Sequence, residues 1–164
     1  MNSIRVRRRR RLREKEIKAL DEELAQRLGV QLSQEGRPVD RAESTEFDII
    51  FVDNVAEGII YQEKAFLSVR GLLRLKPTRA AVTVDMGAVP FVTKGADIMA
   101  PGIVEADPAV KPGDLVWVKD INHGVPLAVG EALISGEEMR AKEKGKAIRN
   151  IHFVADKLWK LNEE

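Results

Sequence analysis

The chain is 164 residues long, 44% apolar and 32% charged, with 27 basic and 26 acidic side chains and no cysteine. That length allows one domain or two small ones, and the lack of thiols removes disulfides, thiolate metal sites and cysteine nucleophiles. No apolar run approaches the roughly 20 residues of a membrane-spanning helix. The basic start, Arg5 to Arg13, runs into a charged segment and so does not read as a secretory leader. A soluble, cytoplasmic protein is expected, with no membrane partner.

The balance of charge conceals an uneven distribution. Residues 1–20 hold nine basic and two acidic side chains, whereas residues 21–80 hold eight and eleven, and residues 81–164 ten and thirteen. Clustered arginine is the electrostatic footprint of a polyanion-binding surface. It equally fits a solvated face or a flexible tail.

Ser3 to Arg8 alternates Ile4 and Val6 with Arg5 and Arg7, the pattern of a half-buried strand with a basic outer face. From about Arg11, Ile17, Leu20, Leu24 and Leu28 recur three and four apart, which predicts an amphipathic helix closed by Gly29. Gln34 to Ser44 reads as a polar loop, and Glu46 to Val52 as a buried strand followed by a turn at Asp53-Asn54. Short strands follow at 58–62 and 65–67, then a helix capped by Ser68 and running to Leu75. Lys76-Pro77-Thr78 marks the domain boundary.

Beyond it, 82–84 reads as a strand and 85–92 as a helix with Asp85 as its cap. Pro90 falls inside that helix and removes one backbone donor, so the helix is expected to be very short or 3₁₀-like. A tight turn at 94–97 leads to strand pieces at 98–99 and 103–104, around Pro101-Gly102. Strands 114–121 and 127–134 are joined by a hairpin at Asn122-His123-Gly124. Ser135 to Glu138 is a capping box, Gly145 closes the short helix it opens, 146–151 is a strand, and 153–161 is helical. Many short strands with small helices imply a compact β-barrel with helical plugs.

Little here suggests catalysis. His123 and His152 are the only histidines, and neither belongs to a metalloprotease, phosphate-loop, dinucleotide or serine-hydrolase motif. His123 sits in a turn; His152 follows a strand and reads as structural. Trp117 and Trp159 read as core residues. Aromatic residues make up only 5% of the chain, which argues against rows of exposed rings stacking single-stranded bases.

The informative pattern is a series of small residues: Asp85-x-Gly87-Ala88, then Lys94-Gly95-Ala96-Asp97-Ile98-Met99-Ala100-Pro101-Gly102-Ile103, then Gly113-Asp114-x-Val116, Leu127-Ala128-Val129-Gly130, Gly145-Lys146-Ala147-Ile148 and His152. Gly87 would allow close backbone approach, Gly95 a helix-to-strand turn, and Gly102 a barrel corner. Bare corners also leave backbone amides reachable by a phosphate. In order and spacing the series resembles the PUA domain, named for pseudouridine synthase and archaeosine transglycosylase, over about residues 81–160. The strings GADIMAPGI and IRNIHFVADKLW, with a preceding α/β domain of matching length, make the whole chain similar to the malignant T-cell-amplified-sequence proteins and their archaeal relatives.

The resemblance implies an α+β fold: a small mixed α/β domain over 1–76, then a PUA-type pseudo-β-barrel over 77–164. It implies a non-enzymatic RNA-binding protein of translation, working at the small ribosomal subunit or the acceptor end of tRNA, so the partner expected is tRNA or rRNA. Recognition would be of RNA shape and an unpaired end. By family analogy RNA would lie on Gly87, Ala88, Phe91, Lys94, Gly95, Ala96, Asp97, Met99, Pro101 and Gly102, flanked by Lys146 and Arg149. Lys94 would meet a phosphate, and the Gly87 and Gly95 regions would supply backbone donors. Arg5, Arg7, Arg9, Arg11 and Arg13 form a second basic surface. No cofactor, metal or catalytic residue is expected. Two alternatives stand beside this: a module docking an initiation-type protein factor, and an RNA-targeting accessory subunit of a modifying enzyme.

Overall fold

Residues 3–163 are described by the structure, a computed structural model. Contacts group the chain into two units, Met1–Thr78 with Lys157–Glu164, and Arg79–Asp156. The sequence reading sets the boundary between residues 76 and 77 and runs the second domain to 164, whereas these contacts return the last segment to the first unit.

The first unit is a five-stranded antiparallel meander: β1 (Arg7–Arg11), β2 (Val39–Glu43), β3 (Asp48–Val52), β4 (Val55–Tyr61) and β5 (Lys64–Leu67), hydrogen-bonded in that order. Helix α1 (Glu14–Leu28) buries Leu20, Leu24 and Leu28 and ends where Gly29 takes φ 73° and donates to the Ala25 carbonyl. Leu24 and Leu28, with Ile49, Ile59, Phe66 and Leu67 of the sheet, are fully buried, each such side chain contributing about 1.5–3 kcal/mol. Asp21, on the same helix, receives the amides of Leu32 and Ser33 and the Ser33 hydroxyl, which ties down the chain after the helix. Helix α2 (Val69–Leu75) is capped by Ser68, whose Oγ accepts from the Gly71 amide at 3.3 Å.

Two sequence expectations fail in this unit. The first strand spans Arg7–Arg11, not Ser3 to Arg8, and all five residues are exposed. It is held by its ladder to β2, with an irregularity between Arg7 and Arg10 where Arg8 takes φ 53°. The polar loop expected at 34–44 contains β2 itself, paired on both edges.

The second unit comprises β6 (Ala81–Val84), α3 (Val89–Val92), β7 (Ile98–Met99), a 3₁₀ turn (Ala100–Gly102), β8 (Ile103–Ala106), β9 (Leu115–Asp120), β10 (Pro126–Ala132), α4 (Gly136–Ala141) and β11 (Lys146–Phe153). The strand order is β7-β11-β10-β9-β6-β8, antiparallel except for β6 on β9, so the sheet curls into a half-barrel whose edge strands are joined by the 3₁₀ turn. Val82, Val84, Val116, Val118, Ala128 and Ile148 fill it, and α4 inserts the fully buried Met139. Trp117 is buried and its indole N–H donates to the Arg79 carbonyl at 2.8 Å. His152 is buried with Nδ1 2.8 Å from Asp156 Oδ2, a structural arrangement as expected. Strand β11 runs through Phe153, so the terminal helix α5 (Lys157–Lys160) starts later than its apolar pattern implies.

Candidate nucleic-acid interface

Most of the glycine-rich series lies on a short stretch around α3. At the end of β6, Asp85 donates its amide to the Gly102 carbonyl at 2.9 Å, which brings the 3₁₀ turn against the 85–88 turn. The Ala88 amide then donates to both the carbonyl (3.1 Å) and the side chain (2.9 Å) of Asp85. Asp85 therefore closes a turn ahead of the helix instead of capping the helix itself. The helix is only Val89–Val92, with Pro90 in its first turn, where a missing amide costs least. A Cβ on Gly102 would lie 3.1 Å from Ala88 Cβ, so this corner depends on small residues on both sides. Gly87 differs from expectation: a Cβ there would meet only Asp85 Oδ1, at 3.3 Å, and no other backbone.

The turn after the helix is closed by its own hydrogen bonds. The amides of Lys94 and Ala96 both donate to the Phe91 carbonyl, at 3.1 Å each, and that of Gly95 to the Val92 carbonyl at 3.0 Å. Gly95 takes φ 93°, and a Cβ there would sit 2.9 Å from the Phe153 ring. Asn150 staples this turn from β11, its Nδ2 donating to the carbonyls of Val92 (3.2 Å) and Ala96 (3.0 Å), while its backbone amide donates to Asp97 Oδ1 at 3.0 Å. The Gly95 region thus has no spare donors, contrary to expectation. Among the described residues, the exposed Met86 and Gly87 donate no amide hydrogen bond.

Charge on this face is mostly cancelled. Lys146 Nζ lies 3.3 Å from Asp97 Oδ2, and Arg149 Nε 3.9 Å from Glu131. The Asn150 amide, and after it Lys146, hold the Asp97 carboxyl below its usual range despite some burial. Lys94 is exposed and has no ion-pair partner among the described residues. Ala88, Gly95 and Gly102 are half-buried, while Gly87, Phe91, Lys94, Ala96, Met99 and Pro101 face solvent.

The arginine strand is likewise internally paired. Asp40 on β2 accepts from Arg9 Nε at 2.8 Å and from Arg11 Nε at 2.5 Å. Arg9 also reaches Asn54 and lies 4.1 Å over the Phe51 ring. Arg10 grips Glu16 with two bonds, and Arg8 lies 3.4 Å from Glu43. Arg5 precedes the strand and the irregularity at Arg8 breaks alternation, so Arg5, Arg7 and Arg9 do not form one row. Among the described residues Arg5 and Arg7 have no ion pair. The Arg13 amide donates to Glu16, completing the start of α1.

Sequence reasoning missed Met86 and Asn150. Met86 was legible as the variable residue of Asp85-x-Gly87. Asn150 has no local signal, because its role arises from a strand distant in sequence.

A family model described as the PUA domain matches residues 80–154. A solved structure of a conserved PUA domain protein from Thermoplasma acidophilum is 30% identical, covers 94% of this chain and 99% of its own, and superposes with TM-score 0.78. The chain belongs to the PUA-domain proteins. It is also 45% identical over 121 residues to an uncharacterised protein of Methanocaldococcus jannaschii, covering 74% of this chain and 75% of that one. Translation machinery-associated protein 20 of Saccharomyces cerevisiae is 37% identical over 89 residues, 51% of this chain and 49% of its own length. The malignant T-cell-amplified sequence 1 homolog of Drosophila melanogaster is 39% identical over 80 residues, 47% of this chain and 44% of its own. The matches thus span about half the length of these two named relatives of the PUA protein. No helix among its described residues is long and apolar enough to cross a membrane.

Proposed function

We propose that this PUA protein is a non-enzymatic RNA-binding protein acting in translation, at the small ribosomal subunit or on the acceptor end of tRNA. The observation that carries the reading is the PUA match over residues 80–154, and the translation-associated name of the yeast relative supports the setting. The binding face is made by the exposed residues between Met86 and Pro101, where the Met86 and Gly87 amides and the Lys94 ammonium receive phosphate oxygens. Arg5 and Arg7 add a second, weaker contact, and two modest sites on one chain reinforce each other through effective concentration.

Because few cations on the PUA face are unpaired, its affinity depends on salt with a shallow slope of about one to two. The test is cross-linking in cell extract with sequencing of the bound RNA, alongside filter binding of the purified chain to tRNA and rRNA fragments. Recovery of tRNA ends or small-subunit rRNA, with Lys94→Ala lowering the salt slope by about one, supports the reading. No retention of any RNA at low salt, or turnover of the RNA by the purified protein, overturns it.

A further inference from the structure

We infer that the open edge of the first unit's sheet, along Arg9 to Arg11 of β1, takes up an extended acidic peptide of another protein as an added strand. The register used leaves Arg5 and Arg7 outside it, and the inference stands independently of RNA binding by the PUA face.

The two edges of this sheet are finished differently. At one, β5 buries Ala65, Phe66 and Leu67, and the Ala65 amide donates to Glu23 of α1 at 2.7 Å, so the helix closes that side. At the other, β1 pairs, among the described residues, with β2 alone, and all five of its residues are exposed. The ladder tells which of its backbone groups are spare. Arg11 stands opposite Asp40, and the next residue, Leu12, donates its amide to the Val39 carbonyl at 2.8 Å. In an antiparallel pair, bonded and non-bonded positions alternate, so Arg10 and Leu12 turn their backbone groups to β2 and Arg11 turns its own outward. Arg9 shares the phase of Arg11, since both side chains reach Asp40 on one face, whereas Arg10 reaches Glu16 on the other. The edge therefore offers the amides and carbonyls of two residues, spaced as an added strand meets them.

Charge decides what that strand is. The segment from Arg5 to Arg13 holds seven arginines, and its ion pairs among the described residues use three carboxylates, those of Glu16, Asp40 and Glu43. A second copy of this chain would set arginine against arginine, and like charges directly opposite destabilise a pair of strands. Glutamate or aspartate opposite Arg9 and Arg11 on one face, and opposite Arg10 on the other, is favourable at every cross-strand position. RNA phosphates accept from guanidiniums and amides but bring no donor for the two open carbonyls, so the backbone edge favours a peptide.

The test uses the full chain and an acetylated, amidated hexapeptide alternating glutamate with threonine, together with two forms N-methylated on one or the other set of alternate amides. Hydrogen exchange followed by NMR reads the edge directly. The amides of Arg9 and Arg11 are expected to exchange fast in the free chain and at least about tenfold more slowly with saturating peptide, while those of Arg10 and Leu12 are protected throughout. One methylated form binds at least about tenfold more weakly and the other binds like the parent, because only alternate amides face the edge. The peptide with lysine in place of glutamate does not bind. Equal binding of all three glutamate peptides, unchanged exchange at Arg9 and Arg11, or failure of the parent peptide to bind overturns the added strand. A single-stranded RNA hexamer that slows the same two amides assigns the edge to RNA, and slowing that grows with chain concentration alone assigns it to a second copy; either result overturns the proposal. None of these outcomes alters the effect of Lys94→Ala on RNA binding, so this inference and the RNA-binding reading fail separately.

Discussion

Replacing Asp40 by Asn tests whether the arginine strand is a binding surface restrained by its own carboxylates. The substitution keeps the side-chain shape and removes the charge that receives Arg9 at 2.8 Å and Arg11 at 2.5 Å. A hydrogen bond to a charged group is worth about 1.5–3 kcal/mol when sheltered. The guanidiniums here are 36% and 65% exposed and the carboxylate only 12%, so much of that value is returned by water. A net loss of about 1–2 kcal/mol follows, and a fall of about 4–16 °C in the melting of the first unit. Binding moves the opposite way: two released guanidiniums meet phosphates, so the slope of log affinity against log salt steepens by about one to two. The pH dependence has a definite sign. Burial pushes the Asp40 carboxyl up, but the hydrogen bonds and charges of Arg11 and Arg9 outweigh it and leave the group below its ordinary value. Its contribution is complete above about pH 4 and is lost as pH falls through the depressed folded value; Asp40→Asn lacks this acid limb. Calorimetry from pH 2 to 7 and RNA filter binding over a salt series read both effects. A folded variant with unchanged RNA affinity and slope refutes the restrained-surface reasoning, and an unchanged melting temperature refutes the energetic one.

Three further predictions follow from the same geometry. Arg10, followed by the Arg13 amide, lowers the Glu16 carboxyl to about 2; NMR titration should find it there, and Arg10→Ala should return it towards the usual value of about 4.3. Its stabilising effect is present above that usual value and disappears as pH approaches 2, so a native Glu16 titrating near 4 contradicts the pairing. Gly95 and Gly145 both have positive φ, 93° and 98°, but a Cβ meets Phe153 only at Gly95. Gly145→Ala should therefore cost about 1–2 kcal/mol of strain, and Gly95→Ala about 2–4 kcal/mol as the ring is also displaced; equal losses in denaturant melts would show that the contact is immaterial. Asn150→Ala strips the Ala96 carbonyl of its donor and the Val92 carbonyl of one of two, and should cost about 1–3 kcal/mol, with hydrogen exchange at Gly95 and Ala96 accelerating first; unchanged exchange there would mean that the turn holds itself.

Elements whose signals are local were legible in the sequence. The leucine spacing of α1, the Ser68 cap and the Ser135-to-Glu138 capping box all appear where their residues place them. Elements made by partners were not. Val39–Glu43 carries two buried apolar residues, Val39 and Ala42, and is a strand through its backbone ladders to β1 and β3, with Asp40 and Arg41 pairing with side chains on either side. The strand expected at Ser3 to Arg8 lies at Arg7–Arg11, because five consecutive arginines have no apolar alternation to fix its bounds and β2 does so instead. In the candidate site, the glycine series located the face and its corners. It gave no indication that the amides after α3 were already used, since that depends on where Phe91 and Val92 turn their carbonyls. The neutralisation of Lys146 by Asp97 depends on β11 lying beside β7, a pairing between segments some fifty residues apart.

The chain leaves its first unit at Thr78 and re-enters it at Lys157. The last residues are structural there: Asn162 accepts the Ala56 amide at 2.8 Å and donates to the Asn54 carbonyl at 2.9 Å, and Arg70 lies 3.9 Å over the Trp159 ring while bonding its carbonyl. On a ribosome, where domains ordinarily fold in the order in which they emerge, the sheet of residues 7–67 gains these contacts only after residues 157–162 have been made, later than the barrel coded between them. Of the two units, the one begun earlier is thus completed later, and a chain cut before Lys157 keeps every residue of the barrel while its first unit lacks the Trp159 and Asn162 contacts.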